Sequence, residues 1–396
     1  MKLNSKLTTR QLLIVMCLWF ISACSSLKTG TADLRTFDNN TRYQQLFPDN
    51  SKAVTLQRYR LLNTQLPSIK LSGADFSLSE LRDVNFQRAK LKNILFIGSR
   101  LVNVDFSHTI LTNVSFAGAQ LINVDFSNAT LINVDMNKTK VTGSAFNNMT
   151  FFNSNLEGVY FSDSIFNNVA IKQSRLRGLN FYYSTLSNVN FDKLDLKLSR
   201  FKGSEIKSSS FNGVNLENSD FTSATIKNSS FISSYLINLK AKKSKWTNVD
   251  FTGIKGIGMD FEFSQVIDSS MHKADLRETR FIETRFKNTI LSQSNLEFTN
   301  FSFAKMNNII LSNSDLSRAN FKRTSLKHAK LINTKAKWTS FLMADLSNST
   351  FSGSDIHKAD FRGANLKNTN FRETKYFKNA IGFSKAKNIS SIKSPL

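Results

Sequence analysis

The chain has 396 residues, with 53 Lys and Arg against 29 Asp and Glu, and a formal net charge of +24. Only 3 Pro and 15 Gly stand beside 35 Phe, which excludes a collagen-like or proline-rich disordered chain. A mean hydropathy of -0.25 and a single short apolar run exclude a polytopic helical membrane protein.

The first element in chain order reads as an export signal. Lys2, Lys6 and Arg10 form a positive start, and Leu12 to Ile21 is an apolar run too short to span a bilayer as a helix. It ends in Ile21-Ser22-Ala23-Cys24, followed by Ser25. This resembles the lipobox of bacterial lipoproteins. The resemblance implies cleavage before Cys24, lipidation of its thiol and acylation of the new amino group. An ordinary signal peptide cut after Ala23, leaving a free thiol, is the alternative. Multiple acyl chains anchor a protein stably where one is marginal. Ser25, rather than Asp, after the modified cysteine implies export to the outer membrane under the enterobacterial sorting rule. Cys17 lies in the discarded segment, so the lipidated chain has no free thiol, no disulfide and no cysteine metal site. Loss of the first 23 residues removes three positive charges and leaves a net charge of +21.

Residues 24–50 read as the lipidated cysteine and a polar tether. Asn50 or Ser51 is placed to cap a short helix reaching Asn63, with Val54, Tyr59 and Leu62 on one face, and Pro67 ends it. Residues 51–68 are therefore expected to be a helical cap.

From residue 69 to 383 a period of five takes over. Of the 63 centres spaced by five from Leu71 to Ile381, 26 are Phe and 22 are Leu, most of the rest are Ile, Val, Met, Trp, Tyr or Ala, and only Gly256 has no side chain. Two residues before each centre, 53 of 63 positions are Ala, Ser, Thr or Val. An amphipathic helix repeats at 3.6 and a strand at 2, so neither produces this pattern. It fits a backbone that turns a corner every five residues, so that four corners close a square coil with the large residue in the lumen. The stretches Ala74-Asp75-Phe76, Ala274-Asp275-Leu276, Ala319-Asn320-Phe321, Ala344-Asp345-Leu346, Ala359-Asp360-Phe361 and Ala364-Asn365-Leu366 carry the family pattern A(D/N)Lxx. In these the chain resembles the pentapeptide-repeat family. The resemblance implies an all-β fold, a right-handed quadrilateral β-helix, here of about 16 coils and ~75 Å at the strand spacing of a sheet. Each coil would pair only with its neighbours.

Residues 20 apart should stack. Phe86, Phe106, Phe126, Phe146 and Phe166 form one expected column, and Phe161, Phe181, Phe201 and Phe221 another, so Phe changes faces near 146–161. A column from Asn128 to Asn368 suits corner conformations and amide bonding from coil to coil. Residues 384–396 read as a basic tail, with a weak cap through Phe383.

No catalytic constellation emerges. His108, His272, His328 and His357 sit at outward positions without metal-site spacing, and the many Asp before centres belong to the repeat's turns. The expectation is a non-enzyme with no catalytic residues, metal or cofactor.

Residues 301–396 carry 17 basic and 5 acidic residues, whereas 101–150 carry 2 and 3. Lysine and arginine discourage edge pairing of a long β-rod; they also suit an anionic partner. Phe298, Arg318, Trp338 and Lys358 share one corner, and Phe303, Arg323 and Met343 the next, close enough for cation–π contact. Phe298, Phe303, Arg318, Arg323, Trp338 and Lys358 are the candidate residues for binding a partner or anion. The alternative is that these rings merely lie flat over the corner. A weaker candidate is Lys240, Lys242, Lys243 and Lys245 beside the small centres Ala241 and Gly256, where the rod has either a dent or a tolerated packing fault. Val102 and Ile122 on one face, with Ile132, form a sparse apolar patch.

The best-known pentapeptide-repeat proteins act on DNA gyrase by resembling DNA in shape and negative charge. This chain departs in its positive charge and its export signal, so no nucleic-acid partner is expected. The first expectation is a lipid-anchored, rod-shaped scaffold of the bacterial cell envelope that binds a protein. The second is a lipoprotein that binds lipopolysaccharide or anionic lipid through its basic C-terminal third.

Overall fold

The computed structural model describes residues 31–32 and 55–394. Each coil advances the chain by twenty residues, and every strand pairing is parallel: Leu101 pairs with Leu121, Leu111 with Leu131, Phe146 with Phe166. Isolated bridges continue the same register, from Thr55–Asp75 to Asp355–Lys375. The fold is an all-β parallel solenoid, as the period of five implies. No α-helix occurs among the described residues, and no helix there is long and apolar enough to cross a membrane.

Each pentad solves the same local problem. Its centre is buried, as at Leu101, Phe106, Leu111 and Phe116. The residue two places later turns the corner in the left-handed region, with φ 54° at Asn103 and 57° at His108. Among the described residues this position is mostly Asn or Gly and is never Val, Ile, Thr or Pro. β-Branched residues pay most for positive φ, and proline cannot adopt it. Asn adds a further bond: Asn133 Nδ2 donates to Asn113 Oδ1 at 2.9 Å, and Asn168 Nδ2 to Asn148 Oδ1 at 2.8 Å. The acidic residue before the centre accepts from the backbone two residues on, as at Asp105 Oδ1 and Ser107 N–H, 2.7 Å. These carboxylates hold turns. The small residue two before each centre is buried too. Its hydroxyl, where present, mostly donates to a backbone carbonyl, of a centre as Thr284 Oγ1 does to Phe261 O at 2.7 Å, or of the residue after one as Ser209 Oγ does to Lys207 O at 2.9 Å.

The lumen is filled by stacked rings. Phe86, Phe106 and Phe126 stack with centroids 5.2 Å apart. The second column meets them edge-on, Phe106 and Phe116 at 5.8 Å. The change of faces falls at Phe146 and Phe161, 5.3 Å apart and nearly perpendicular. Near the small centres Ala241 and Gly256 there is no dent. The Trp246 indole lies 5.6 Å from both Phe221 and Phe261 and fills the room that Ala241 leaves between them. Met259, at a normally small position, brings its sulfur to within 2.8 Å of where a Cβ on Gly256 would stand. Lumen volume is thus conserved by exchange between neighbouring positions.

Both ends differ from the sequence reading. Residues 55–68 are coil, not helix: Leu61 and Leu66 are buried, and Leu56 N–H donates to Asp75 O at 2.7 Å. Leu56, Leu61 and Leu66 keep the five-residue phase, and pairing with the next coil overrides the helix-start signal at residue 51. Thr31 and Ala32, within the expected tether, pair in parallel with Arg60 and Leu61. The call of a signal peptide over 1–23, and Cys24 itself, lie outside the described residues.

At the other end, residues 376–393 are a closing coil rather than a tail. After Phe371 the chain turns in three 3-10 turns, Phe377–Asn379, Phe383–Lys385 and Ile389–Ser391, one every six residues. Register slips accordingly, with Asp360–Ile381, Asn365–Lys387 and Asn370–Lys393. The phase therefore breaks before Ile381: Tyr376 and Ile381 face outward, while Phe377 and Phe383 stack at 4.5 Å over the lumen and seal it. Phe383 also stacks on Phe361 at 4.9 Å.

Among the described residues the ladder opens most at one step, with a smaller gap where Asn288 N–H does not reach Asn307 O and Ile310 N–H does not reach Thr289 O. Asn153 N–H reaches Lys172 O and Leu156 N–H reaches Arg175 O, at 3.0 and 2.8 Å, and one coil further on Lys193 and Leu196 bond equally well to Asn212 and Asn215. Between these steps the N–H groups of Gln173 and Leu176 find no carbonyl in the following coil, and Asp195 N–H does not reach Ser174 O. The cause is Leu194. It stands where Ser154 and Ser174 stand in the preceding coils, and those serines relay bonds, Val134 N–H to Ser154 Oγ at 3.2 Å and Ser154 N–H to Ser174 Oγ at 3.0 Å. Leucine ends the relay, is too large for the site, and is left half-buried. A shallow groove of about 490 Å³ lies beside the opening, lined in part by Asn153, Gln173 and Arg175.

Replacing Leu194 by Ser should close this step. Hydrogen exchange would then slow at Gln173, Leu176 and Asp195, and stability should rise by about 1 kcal/mol, the net contribution of a hydrogen bond. Unchanged exchange in Leu194→Ser would leave the opening without this cause.

Candidate functional site

Two edges of the rod border the face centred on Phe301, Phe321 and Phe341. One edge carries Phe298, Arg318, Trp338 and Lys358; the other carries Phe303, Arg323 and Met343. All seven are corner residues with φ between 54° and 62°. A large residue in this conformation costs on the order of 1 kcal/mol. The cost is confined to these two edges, because the other two corners of the same coils hold Asn308, Asn313, His328, Asn333 and Asn348.

The columns form as expected, with one exception. The Arg318 guanidinium lies between two rings, 5.2 Å from Phe298 and 5.3 Å from Trp338. Arg323 lies 5.8 Å from the Phe303 ring. Lys358 stands next in the column but lies over neither ring; its backbone N–H instead donates to Asn379 O in the closing coil, at 3.2 Å. The Phe298, Phe303 and Trp338 rings are about half exposed, as is the Met343 side chain. Between the edges the floor carries short side chains, Asn300, Ser302, Asn320 and Ser340, with Lys322 and Leu342. Gly363 follows Met343 for a steric reason: a Cβ there would stand 3.2 Å from Met343 Cγ.

Ion pairing sorts the basic residues. Lys327, Lys335, Lys337 and Arg362 pair with Asp345, Asp315, Asp355 and Asp360. Arg318, Lys322 and Arg323 have no acidic partner among the described residues and lie on this face and its edges, while Lys305, Lys330 and Lys367 on other faces likewise have none. The lysine cluster near Ala241 is different, because Lys242 binds both Glu262 and Asp260, at 2.7 and 3.2 Å. Val102 and Ile122 pair in register as expected, but Val102 is only 7 % exposed.

Two residues escaped the sequence reading. His357 packs edge-on against Trp338 at 5.8 Å and Tyr376 at 5.3 Å, extending the aromatic edge into the closing coil. Tyr376 is in phase with the lumen centres and turns outward only because the corner spacing changes from five to six. No group of His, Cys, Asp or Glu among the described residues is arranged to hold a metal.

Burial pulls the Asp360 carboxyl upward, but bonds from Arg362 outweigh it and hold the group below the usual carboxylate range. Asp345 is lowered in the same way by Ser347 and Lys327 against burial, and Asp275 chiefly by Arg277. A carboxylate whose folded pKa is depressed stabilises the fold above its unfolded pKa, and that stability is lost as pH falls through the folded value. The rod should therefore lose stability below about pH 4. Denaturant unfolding between pH 6 and pH 2 tests this, and Asp360→Asn should flatten part of the slope.

The sequence profile described as "Pentapeptide repeat region" matches residues 69–146, 144–221 and 304–378. No curated protein sequence matches this chain significantly. Among solved structures, the chain is similar to HetL, a pentapeptide repeat protein involved in heterocyst differentiation regulation in the cyanobacterium Nostoc sp. strain PCC 7120. Identity is 17%, over 82% of this chain and 94% of that one, with a TM-score of 0.20. QnrB1, a plasmid-mediated fluoroquinolone resistance protein, shares 14% identity over 56% of this chain and 89% of its own, at a TM-score of 0.24. The A-module of the Azotobacter vinelandii mannuronan C-5 epimerase AlgE6 shares 10% identity over 84% and 98%, at a TM-score of 0.23. With the repeat profile covering more than half of its length, the chain belongs to the pentapeptide-repeat family.

Proposed function

We propose that this chain is a non-enzymatic, lipid-anchored rod of the bacterial cell envelope, held in the outer membrane through Cys24, that binds a protein partner along its C-terminal edges. The lipobox-like segment Ile21-Ser22-Ala23-Cys24 and Ser25 support the anchor and its destination. The observation that carries the binding role is the sandwich of Arg318 between Phe298 and Trp338. Half-exposed aromatic rings and arginine are the residue types that dominate protein interfaces. Here they are already ordered, so little side-chain entropy remains to be lost on binding.

Replacing Cys24 with Ser should move the protein from the membrane fraction to the soluble fraction; retention in the membrane would overturn the anchor. A photoreactive residue at position 338 should crosslink to one envelope protein, whereas the same residue at position 252 should not. Phe298→Ala and Trp338→Ala should each weaken that complex about thirtyfold, from ~2 kcal/mol for a hot-spot residue.

A second reading, binding to lipopolysaccharide or anionic lipid, is favoured by the unpaired charges of Arg318, Lys322 and Arg323. It predicts co-sedimentation with anionic vesicles that collapses with salt and is lost in Arg318→Gln/Arg323→Gln but not in Phe298→Ala.

A further inference from the structure

A second exposed cluster lies at mid-rod, on the face centred on Phe161 and Phe181. Tyr160 and Tyr182 stand diagonally in successive coils and stack with ring centroids 5.1 Å apart. Tyr160 is 41 % and Tyr183 64 % exposed. Tyr183 turns the corner with φ 51°, a position that favours Asn or Gly. Its ring lies over the next coil's corner, where Gly203 is required: a Cβ there would stand 2.6 Å from Tyr183 Cε1. Two exposed tyrosines and the partly buried Tyr182 thus lie on or beside one face, Tyr183 at a strained corner.

Positive charge is built in beside them. Asn180 follows Tyr160 in register and is only 7 % exposed. Its amide donates to Gly178 O at 2.8 Å and Val159 O at 3.3 Å, and its Oδ1 accepts from Arg200 Nη1 at 3.1 Å. A buried, fully bonded amide therefore fixes the Arg200 guanidinium beside the tyrosines. Arg200 has no acidic partner among the described residues, and the exposed Lys202 follows Tyr182 one coil on. The outward positions of this face from Lys140 to Lys202 are Lys140, Thr142, Tyr160, Ser162, Asn180, Tyr182, Arg200 and Lys202, none of them acidic. One flank is bare: Gly158 and Gly178 hold its corner in two successive coils, and nothing lies within 4 Å of a Cβ position on Gly178.

We propose that the face from Tyr160 to Lys202 binds an acidic saccharide. The ring of a sugar presents axial C–H groups to the tyrosine faces, and the phenolic hydroxyls remain available to its hydroxyl groups. Its carboxylate, sulfate or phosphate is received by the forked guanidinium of Arg200, assisted by Lys202. A protein partner is the less suited occupant, because the site has cations and hydroxyls around its rings and a single exposed apolar neighbour, Leu198. The site is separate from the C-terminal edges and does not depend on the reading given to them.

The test is equilibrium binding of the full chain to polygalacturonate and to heparin, with dextran as the neutral control. Both acidic polymers are probed because they differ in the anion, carboxylate against sulfate. Binding to at least one, with none to dextran, is expected. Tyr182→Ala and Arg200→Gln should each weaken it about tenfold, while Lys287→Gln, an exposed lysine on another face, leaves it unchanged. Unchanged circular dichroism will verify folding of each variant. Binding to neither acidic polymer overturns the proposal. So does binding that Tyr182→Ala leaves intact, which would be charge attraction alone and would admit nucleic acid or polyphosphate equally.

Discussion

Everything in this rod depends on one backbone constraint, a left-handed residue every fifth position. The corner turns the chain by a quarter of a coil, keeps the next centre pointed into the lumen, and presents its N–H to the carbonyl nineteen residues on, as Asn103 does to Ile122. Because each corner repeats in register, its side chain is stacked with the corner residues of the coils before and after. Four edges of the molecule are thereby written as four columns of the sequence. Asn and Gly satisfy the backbone most easily, so a column that departs from them signals another use. The two edges that carry Phe298, Arg318 and Trp338, and Phe303, Arg323 and Met343, depart most.

The lumen tolerates exchange of volume between neighbours but not a net change. Trp246 and Met259 fill what Ala241 and Gly256 vacate, and the ring stack runs on through them. Leu194 is the contrary case. The small position lies where adjacent coils approach closely, and although Leu179, Leu239 and Met259 are accommodated there fully buried, Leu194 is not. The backbone yields instead, and three N–H groups lose their partners. Stability in a solenoid is a sum of neighbouring interfaces, so this step is the weakest link of the rod while its neighbours remain intact.

Charge follows the same local logic. The acidic residues sit where turns need acceptors, and several also capture a lysine or arginine from their own coil or an adjacent one. The cations left over are not spread evenly. In the C-terminal third Arg318 and Arg323 lie with exposed rings on a pair of edges; at mid-rod, Arg200 is held by buried Asn180 next to stacked tyrosines. Both places join a pre-ordered guanidinium to an aromatic surface, which distinguishes them from lysines that serve only to keep a β-rod dispersed.

The period of five, the lumen residues, the corner columns and the uneven charge were all legible in the amino-acid sequence, because each depends on phase along the chain alone. So was the juxtaposition of Phe298, Arg318 and Trp338, which share a column. What the stacking of coils decided is of another kind. Tyr160 and Tyr182 occupy different columns and meet only on the diagonal. Residues 51–63 read locally as a helix with Val54, Tyr59 and Leu62 on one face, yet pairing with the next coil makes Leu56, Leu61 and Leu66 the inward residues instead. Tyr376 is in phase, yet six-residue corners turn it out and put Phe377 over the lumen. Arg318 keeps its charge free and Lys337 does not, according to which carboxylate stands in reach. A five-residue phase specifies which way a side chain points; what it meets there depends on residues twenty positions away and on the space they leave.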